Sequence, residues 1–376
     1  MAFDGIFVSG IKSELEKNLL GGRVYKVTEP ERDEIILTIK NNSSTYKLSI
    51  SVNPSLSLCM LTDVNKKSPI NAPTFVMLLR KHIQNGKIVS ITQPNVDRVI
   101  DMEIEHMNEL GDMVSVHLCS EFMGKYSNII LCDNEYNILD SIKRVPSTVS
   151  SVREVLPGRK YFIPDGDKLS LDTLNKNELF ESIRDKKCIL QKAIYTSITG
   201  LSPVIANEIC NNAGLPADLP ATSMSSTEIE KLYNALMNLK SRIDNDEFTF
   251  AIYKDSYSNK PEFSAIPLTS GYYDSVEYES PSQLLSDFYN DKALRNRMTQ
   301  KSFEYRRLTS NLLERETKKL ALQEKQLEST LGRDKYRIYG ELLQAYGYNV
   351  EEGATSITVP NFYDNNNNIT IRKFFF

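Results

Sequence analysis

Hydrophobic and polar residues repeat with two different periods along this chain, and the switches between them mark its elements. Over residues 3–20 the apolar positions are Phe3, Phe7, Ile11, Leu15 and Leu19, with charges between them. That four-residue step predicts an amphipathic helix. Gly21 and Gly22 end it, since a residue without a Cβ takes the left-handed cap without steric cost. The period then falls to two, predicting strands at 24–28, 34–40 and 45–52, the last two separated by the turn at 41–44. Asn71, Ala72 and Pro73 open a second helix, Pro being tolerated in a first turn. Its apolar face is Phe75, Leu78, Leu79 and Ile83, and Arg80, Lys81 and Lys87 make its exit basic. Residues 87–93 read as another short strand.

The stretch 93–131 holds the most pointed local feature, Asp97 beside Arg98. Beyond them Ile100, Met102, Ile104 and His106 point one way, and Asp101, Glu103 and Glu105 the other, the mark of a half-buried strand with surface acids. A Gly-containing turn at 108–112 precedes Val114, Val116 and Leu118, which resume the alternation and make a hairpin. Neighbours in a strand face opposite ways, so at most one of Asp97 and Arg98 can face the core. The other looks outward or into a groove. A further hairpin is predicted from 128–132 and 138–142, turning at Asp133 and Asn134. The runs SIKRVP and VREVLPGRKYFIP read as loop with scattered basic residues. Helix, strands, helix and many strands make the first 165 or so residues an α+β domain.

Residues 177–243 are helical in pattern, punctuated at Gly200-Leu201-Ser202-Pro203, at Gly214-Leu215-Pro216 and around Pro220. The run ITGLSPVIANEI resembles a helix-hairpin-helix signature, with Ser202 in place of the usual second Gly. Such a hairpin presents backbone N–H groups to a phosphate. The same pattern also suits a plain packing module. Strand-like alternation returns at 248–278 and is expected to rejoin the first domain. Residues 283–331 are helical and highly charged, with no Gly or Pro. Leu313, Leu320 and Leu327 repeat at seven, but the companion column is Thr317, Glu324 and Leu331, so the coiled-coil seam is half formed. Between Asp291 and Lys335 stand 12 Lys and Arg against 7 Asp and Glu. That local excess fits either a solvated helix face or a rod that touches polyanion. Residues 336–376 form a small Tyr-rich unit.

Composition narrows the classes. A chain of 376 residues with 40% hydrophobic and 25% charged content is long enough for two to three domains and a sizeable core. Its net charge of −4 gives no global attraction to nucleic acid or anionic membrane, so polyanion binding must rest on a local patch. Cys59, Cys119, Cys132, Cys188 and Cys210 are odd in number and lack CxxC spacing, which speaks against a disulfide scaffold or zinc site and fits a reducing cytosol. The charged N-terminus lacks a signal-peptide pattern, and no apolar run approaches ~18 residues, so a cytoplasmic protein is expected. No phosphate loop, nucleophile elbow or HExxH stands in the chain. His82, His106 and His117 are the three histidines, and the last two are expected to lie far from any Cys or carboxylate that could share a metal. No catalytic residue, metal or cofactor is assigned. The residues alone describe a cytosolic α+β protein with a helical insert and a basic rod, a binder rather than an enzyme.

Several stretches, in order and at fitting spacings, carry a family resemblance: MAFDGIF, LLGGRVYKV, APTFVMLLRKHI, VDRVI, EFMGKYSNIIL, LDSIKRVP and VREVLPG. Together they resemble the NFACT family, called fibronectin-binding protein A-like in bacteria. The resemblance covers essentially the whole chain, including GRDKYRIYGELLQAY and VPNFYD. It implies an N-terminal domain at 1–175, a helix-hairpin-helix domain at 176–245 and a segment at 246–281 rejoining the first. It further implies the first arm of a coiled coil at 282–332 and the start of a middle unit at 333–376. The N-terminal domain is expected to resemble in architecture that of formamidopyrimidine-type DNA glycosylases. Those enzymes use an N-terminal Pro and a Glu, whereas this chain opens Met1-Ala2-Phe3-Asp4, which speaks against glycosylase chemistry.

The resemblance implies a factor of ribosome-associated quality control. Members bind the large ribosomal subunit obstructed by peptidyl-tRNA and recruit aminoacyl-tRNA, alanine-type in bacteria, for template-free tailing. The ribosome makes the peptide bond and the factor positions tRNA. The tRNA-handling residues carry over to Asp4, Asp97 and Arg98, with Lys125, Asn128 and Arg144 as candidate additional nucleic-acid contacts. Arg98 suits a phosphate or base edge through its planar fork, and Asp97 can orient it or accept from a ribose hydroxyl or base amine. Asp4 also suits a helix cap, and Asp97 with Arg98 a local ion pair. Two departures stand out. Lys125 and Tyr126 replace the usual Arg and His, which keeps the charge but loses the bidentate fork. Family chains also continue through a returning coiled-coil arm and a further domain, so a fragment or truncated product is expected here. The rival reading is a cell-surface fibronectin-binding adhesin.

Overall fold

Two antiparallel meanders, joined edge to edge, build the main sheet. The first contains β1 (Arg23–Glu31), β2 (Glu34–Asn41), β3 (Ser44–Asn53) and β4 (Leu56–Leu61). After α2 (Thr74–Ile83) comes the second, of β5 (Lys87–Thr92), β6 (Val99–Met107), β7 (Met113–Glu121), β8 (Asn128–Asp133) and β9 (Ile138–Ser141). Arg23 opposite Lys87 links β1 to β5 and gives the order β4-β3-β2-β1-β5-β6-β7-β8-β9. The computed structural model describes residues 3–69, 71–164, 167–255 and 261–372, so Met1, Ala2 and the chain end after Arg372 lie outside the described residues. β4 was not expected from the pattern, because LSLCML is almost continuously apolar and shows no period of two.

The helix α1 (Gly5–Leu19) forms where the four-residue step predicts it. Asp4 is its N-cap, accepting the Phe7 N–H at 3.0 Å. Ile6, Phe7, Ile11, Leu15 and Leu19 are fully buried, each contributing about 1.5–3 kcal/mol by leaving water. Fifteen residues are marginal for an isolated helix, so this packing holds it. From β10 (Phe250–Asp255) and β11 (Pro261–Ser264), Phe250 and Phe263 set their rings 5.9 and 4.7 Å from that of Phe7. With β12 (Tyr272–Tyr278) these strands form their own sheet, in the order β11-β10-β12.

The second face of the β6–β9 region corrects the picture of surface acids on a half-exposed hairpin. Asp101 is buried, accepts the Tyr136 hydroxyl at 2.6 Å and lies 3.1 Å from His117 Nδ1. The Cys119 thiol is 3.8 Å from the same carboxylate. His117, expected from strand spacing to lie far from carboxylate and cysteine, instead sits against Asp101. Cross-strand pairing places Asp101 opposite Cys119. What buries this face is the stretch after β9, which the sequence reads as loop. Val145 and Val155 exchange backbone hydrogen bonds, and Ile138 donates to Arg159 O at 2.7 Å. Arg153 reaches the buried Glu121 carboxylate at 2.5 and 2.6 Å, and the Tyr161 hydroxyl donates to it at 3.0 Å. No group of three or more metal-ligating side chains occurs among the described residues.

The helical insert comprises α3 (Lys176–Arg184), α4 (Leu190–Ser197), α5 (Pro203–Asn212) and α6 (Ser226–Asp244), the last opened by a capping box between Ser225 and Glu228. Residues 1–294 make one compact unit and 295–376 another. The helix α7 (Pro281–Tyr346) begins in the first, where Leu284 and Leu285 are buried and Ser282 accepts the Leu61 N–H at 2.8 Å. It continues past 332, where the sequence suggested a new unit, with Gly332 and Gly340 inside it. In the second unit Leu342 packs with Val359 of β13 (Ser356–Asn361) and Ile371 of β14 (Asn367–Arg372). Leu313, Leu320 and Leu327 are 71%, 56% and 64% exposed. No helix of the described residues is long and apolar enough to cross a membrane.

Burial sorts these apolar residues by consequence. Phe7→Ala is expected to cost about 3–5 kcal/mol in urea unfolding, through lost transfer energy and a cavity. Leu313→Ala is expected to stay within about 0.5 kcal/mol, as at other exposed sites. A cost at Leu313 comparable to that at Phe7 would contradict the burial pattern.

Candidate functional site

Three segments distant in sequence meet at one backbone contact. After β5, residues Pro94–Val96 make a single 3-10 turn in which Asn95 and Val96 hold φ of +51° and +55°. A β-branched residue seldom adopts that conformation, so the turn is strained and must be held by its surroundings. Val96 is buried, and its carbonyl oxygen points between Gly5 and Gly200. A Cβ at Gly5 would come within 1.9 Å of that oxygen, and one at Gly200 within 2.2 Å. Only glycine permits either approach. The Gly5 N–H donates to Gly200 O at 2.8 Å. Gln93 completes the tie: its amide donates to Gly5 O at 2.8 Å and Asp97 O at 2.7 Å, and its oxygen accepts the Ser9 hydroxyl at 2.7 Å.

Around this contact opens a cleft of about 400 Å³ lined by Asp4, Asp97, Arg98, Met123, Lys168, Tyr195 and the turn from Thr199 to Pro203. Asp97 and Arg98 lie just before β6 and are half-buried, and the Asp97 carboxylate accepts the Arg98 backbone N–H at 2.7 Å. Arg98 O in turn accepts Phe122 N–H at 2.8 Å, so both flanks of the pair are fixed to the sheet. Lys168 donates to Tyr195 O at 3.0 Å. Its pKa is lowered by partial burial and then by the charge of Arg98, with Asp97 opposing. Asp4 is buried at the floor, and burial pushes its pKa up to about 6 against the pull of the Ser202 hydroxyl, the Phe7 N–H and Arg98. Ser202 caps α5 by accepting the Ile205 N–H at 3.3 Å. Asp4 is thus both a helix cap and a wall of the cleft, and the starts of α1 and α5 meet there.

Three other residues singled out in the sequence lie elsewhere. Lys125 is exposed on the short turn after β7, its ammonium 4.7 Å from the Tyr126 ring centre, while its neighbour Met123 reaches the cleft. Asn128 is buried, and its amide is spent on the backbone of Ile129 and Lys143. Arg144 directs its fork at Asp140, at 2.9 and 2.8 Å, and lines a different cavity. Conversely, Gln93, Lys168 and Tyr195 were not singled out. Nothing in their local sequence distinguishes them, since the fold alone brings them to Asp97 and Arg98.

The raised pKa of Asp4 has a definite sign. The folded chain keeps a proton that the unfolded chain releases above about 4, so the contribution is fully present below that pH and lost as pH rises through about 6. Asp4→Asn, which keeps a capping oxygen, is expected to flatten this part of the urea stability profile between pH 4 and 7. Asp4→Ala is expected to be about 1 kcal/mol less stable than Asp4→Asn across this range, through the lost cap. A wild-type profile already flat over that range would remove the assignment.

Comparison with known proteins fits this architecture. A family model described as NFACT N-terminal and middle domains matches residues 4–372. The Rqc2 homolog RqcH of Bacillus subtilis is 33% identical over 366 residues, covering 97% of this chain and 62% of that protein. The Rqc2 homolog RqcH of Streptococcus suis is 32% identical over 365 residues, with coverages of 96% and 61%. The chain therefore spans a little over three fifths of the length of these relatives. A crystal structure of the fibrinogen binding protein from Staphylococcus aureus superposes with a TM-score of 0.64 at 28% identity, covering 77% of this chain and 99% of that one. With nearly every residue inside one family match, the chain belongs to the NFACT family and carries its N-terminal and middle domains.

Proposed function

We propose that the cleft between the main sheet and the helical insert binds tRNA, and that the chain acts in ribosome-associated quality control. On this reading it engages the large ribosomal subunit obstructed by peptidyl-tRNA and recruits alanyl-tRNA for template-free alanine tailing of the stalled product. The protein positions tRNA, and the ribosome's own centre makes the peptide bond. The observation that carries the reading is the convergence of Asp4, Asp97, Arg98 and Lys168 on one cleft braced by the Gly5–Val96–Gly200 contact. The relatives named Rqc2 homolog RqcH support the quality-control reading.

The chemistry suits positioning. Arg98 offers a planar fork for a phosphate or base edge, and Lys168, held on Tyr195 O, adds a point charge in the same cleft. Asp97 is an acceptor for a ribose hydroxyl or base amine, groups that distinguish RNA from DNA and one base from another. In a chain of net charge −4 these two cations offset Asp4 and Asp97 within the cleft. The rival reading, a fibronectin-binding adhesin, draws on the family's bacterial name. Native protein on intact cells, with no cytoplasmic marker co-released, would favour it.

Asp97→Ala combined with Arg98→Ala is expected to abolish alanine tailing in an assay with obstructed large subunits while leaving folding intact. In this chain, Arg98→Ala should weaken tRNA binding about tenfold and reduce the salt dependence by about one phosphate contact. Tailing at normal levels in the double variant would refute the site, and an unchanged salt slope would refute a phosphate role for Arg98.

A further inference from the structure

The β6–β7 turn, at the end of β6 away from Asp97 and Arg98, carries large apolar side chains into water. Met107 is 67% exposed, Leu110 87% and Met113 61%. Three within one turn are more than the single exposed apolar residues of an ordinary surface. β6 runs from Val99 to Met107, so the turn stands roughly 27 Å along the strand from the tRNA cleft. Its backbone is fixed by Asn108, whose side-chain oxygen accepts the Leu110 and Asp112 N–H groups, each at 2.9 Å. Leu110 is therefore displayed by an ordered turn. Beside it opens a groove of about 680 Å³ that shares no lining residue with the cleft. The groove lies between this turn, the exit of α2 and the β8–β9 turn, and Met107, Leu110 and the half-buried Val114 and Leu139 give it an apolar lining.

The rim of the groove is acidic. Glu109, Asp133 and Glu135 line it against one lysine, Lys81, whose ammonium is 3.0 Å from the Glu109 carboxylate. That pair cancels, and Asp133 and Glu135 leave the lining with a net negative charge. His82 adds no cation at neutral pH, since burial, then the charges of His106 and Lys81, lower its pKa against the pull of Glu109. Just outside the lining stand Lys160, on the Glu135 backbone oxygen, and Asp112, on the Asn108 amide, one of each sign. Acids around an apolar floor repel a phosphate backbone or an anionic membrane and attract a basic protein segment. β6, β7 and β8 are inner strands, each paired on both sides, so the groove offers no open edge to an added strand. The remaining mode is an amphipathic helix laid into the groove by its apolar face, and methionines suit such a surface because they repack around a partner.

We propose that this groove docks a basic amphipathic helix of another protein, with its apolar anchors among Met107, Leu110, Val114 and Leu139 and its lysines or arginines facing Asp133 and Glu135. The site goes beyond the tRNA cleft and does not depend on it. Because the two lie at opposite ends of β6, a docked helix leaves the cleft open.

The test is fluorescence anisotropy of this chain with three designed helical peptides of about 18 residues, a length at which a helix can form alone. One carries leucines on one face and lysines on the other. The second replaces its lysines by glutamates, and the third replaces its leucines by serines. The leucine–lysine peptide is expected to bind roughly tenfold more tightly than either control, because only it matches both the floor and the rim. Met107→Ser combined with Leu110→Ser changes two exposed side chains and should fold, and it is expected to lose that preference. Glu135→Lys is expected to weaken the same peptide about fivefold while leaving the serine–lysine control, which has no anchors, weak throughout. The Asp97→Ala, Arg98→Ala variant should bind the peptide unchanged, so the result stands whether or not the cleft takes tRNA. Equal binding of the three peptides, or full binding by the Met107→Ser, Leu110→Ser variant, would overturn the proposal. So would a dimer in sedimentation that this variant dissolves, since a second copy of the chain would then occupy the groove.

Discussion

The carbonyl of Val96, seated between two glycines, is the constraint on which the candidate site depends. It lets a strained turn of the sheet, the first residue of α1 and the turn of the α4–α5 hairpin occupy the same few ångströms. Interiors are packed too tightly to absorb even one added methyl group here without displacing a segment. The Gln93 amide and the Gly5–Gly200 hydrogen bond fix the register of the contact. Because the strain of the turn is held in this way, Asp97 and Arg98 leave it with defined directions. Local distortion and side-chain placement are therefore one feature.

The buried acids divide by what neutralises them. Glu121 is fully buried, held by Arg153 and Tyr161, and Asp140 is held by the Arg144 fork. Asp101 rests among Tyr136 and His117. Of these, Glu121 ties the covering stretch to β7 through Arg153 and Tyr161, where removing a partner would strand a charge. Asp4 and Glu29 differ, since burial outweighs their partners and both acquire raised pKa values. Asp4 also lines the cleft, so its carboxyl is where the fold is available to a ligand, and the paired acids are where it holds itself together.

Much of the site was legible before the fold was known. Asp97 and Arg98 stood out as an acid and a base at the head of an alternating hairpin. Asp4 stood at the start of a periodic helix, and Gly200 and Ser202 fell in a recognisable helical turn. Their meeting was not legible. It depends on contacts between residues 5, 96 and 200, and periodicity reports only which face of an element is apolar. The same limit explains the misread hairpin face. Alternation showed that Asp101, Glu103 and Glu105 share a side, but the stretch that buries Asp101 follows three strands later and has no period of its own. Asn128 and Arg144 looked equally available as polar residues near a motif, and only the geometry shows their hydrogen bonds already committed.

The sequence by itself determined the elements: the α1 face, the strand alternation, the second helix after Pro73 and the charged helix that follows 281. These follow from the spacing of apolar residues and from local turn chemistry, which act over a few residues. Tertiary structure alone decided which loops cover which faces, which acids are paired, and which residues from distant segments line a common cavity. Lys168 and Glu29 show why. A side chain's partners and its degree of burial are set by neighbours far away in the chain, and no local pattern encodes them.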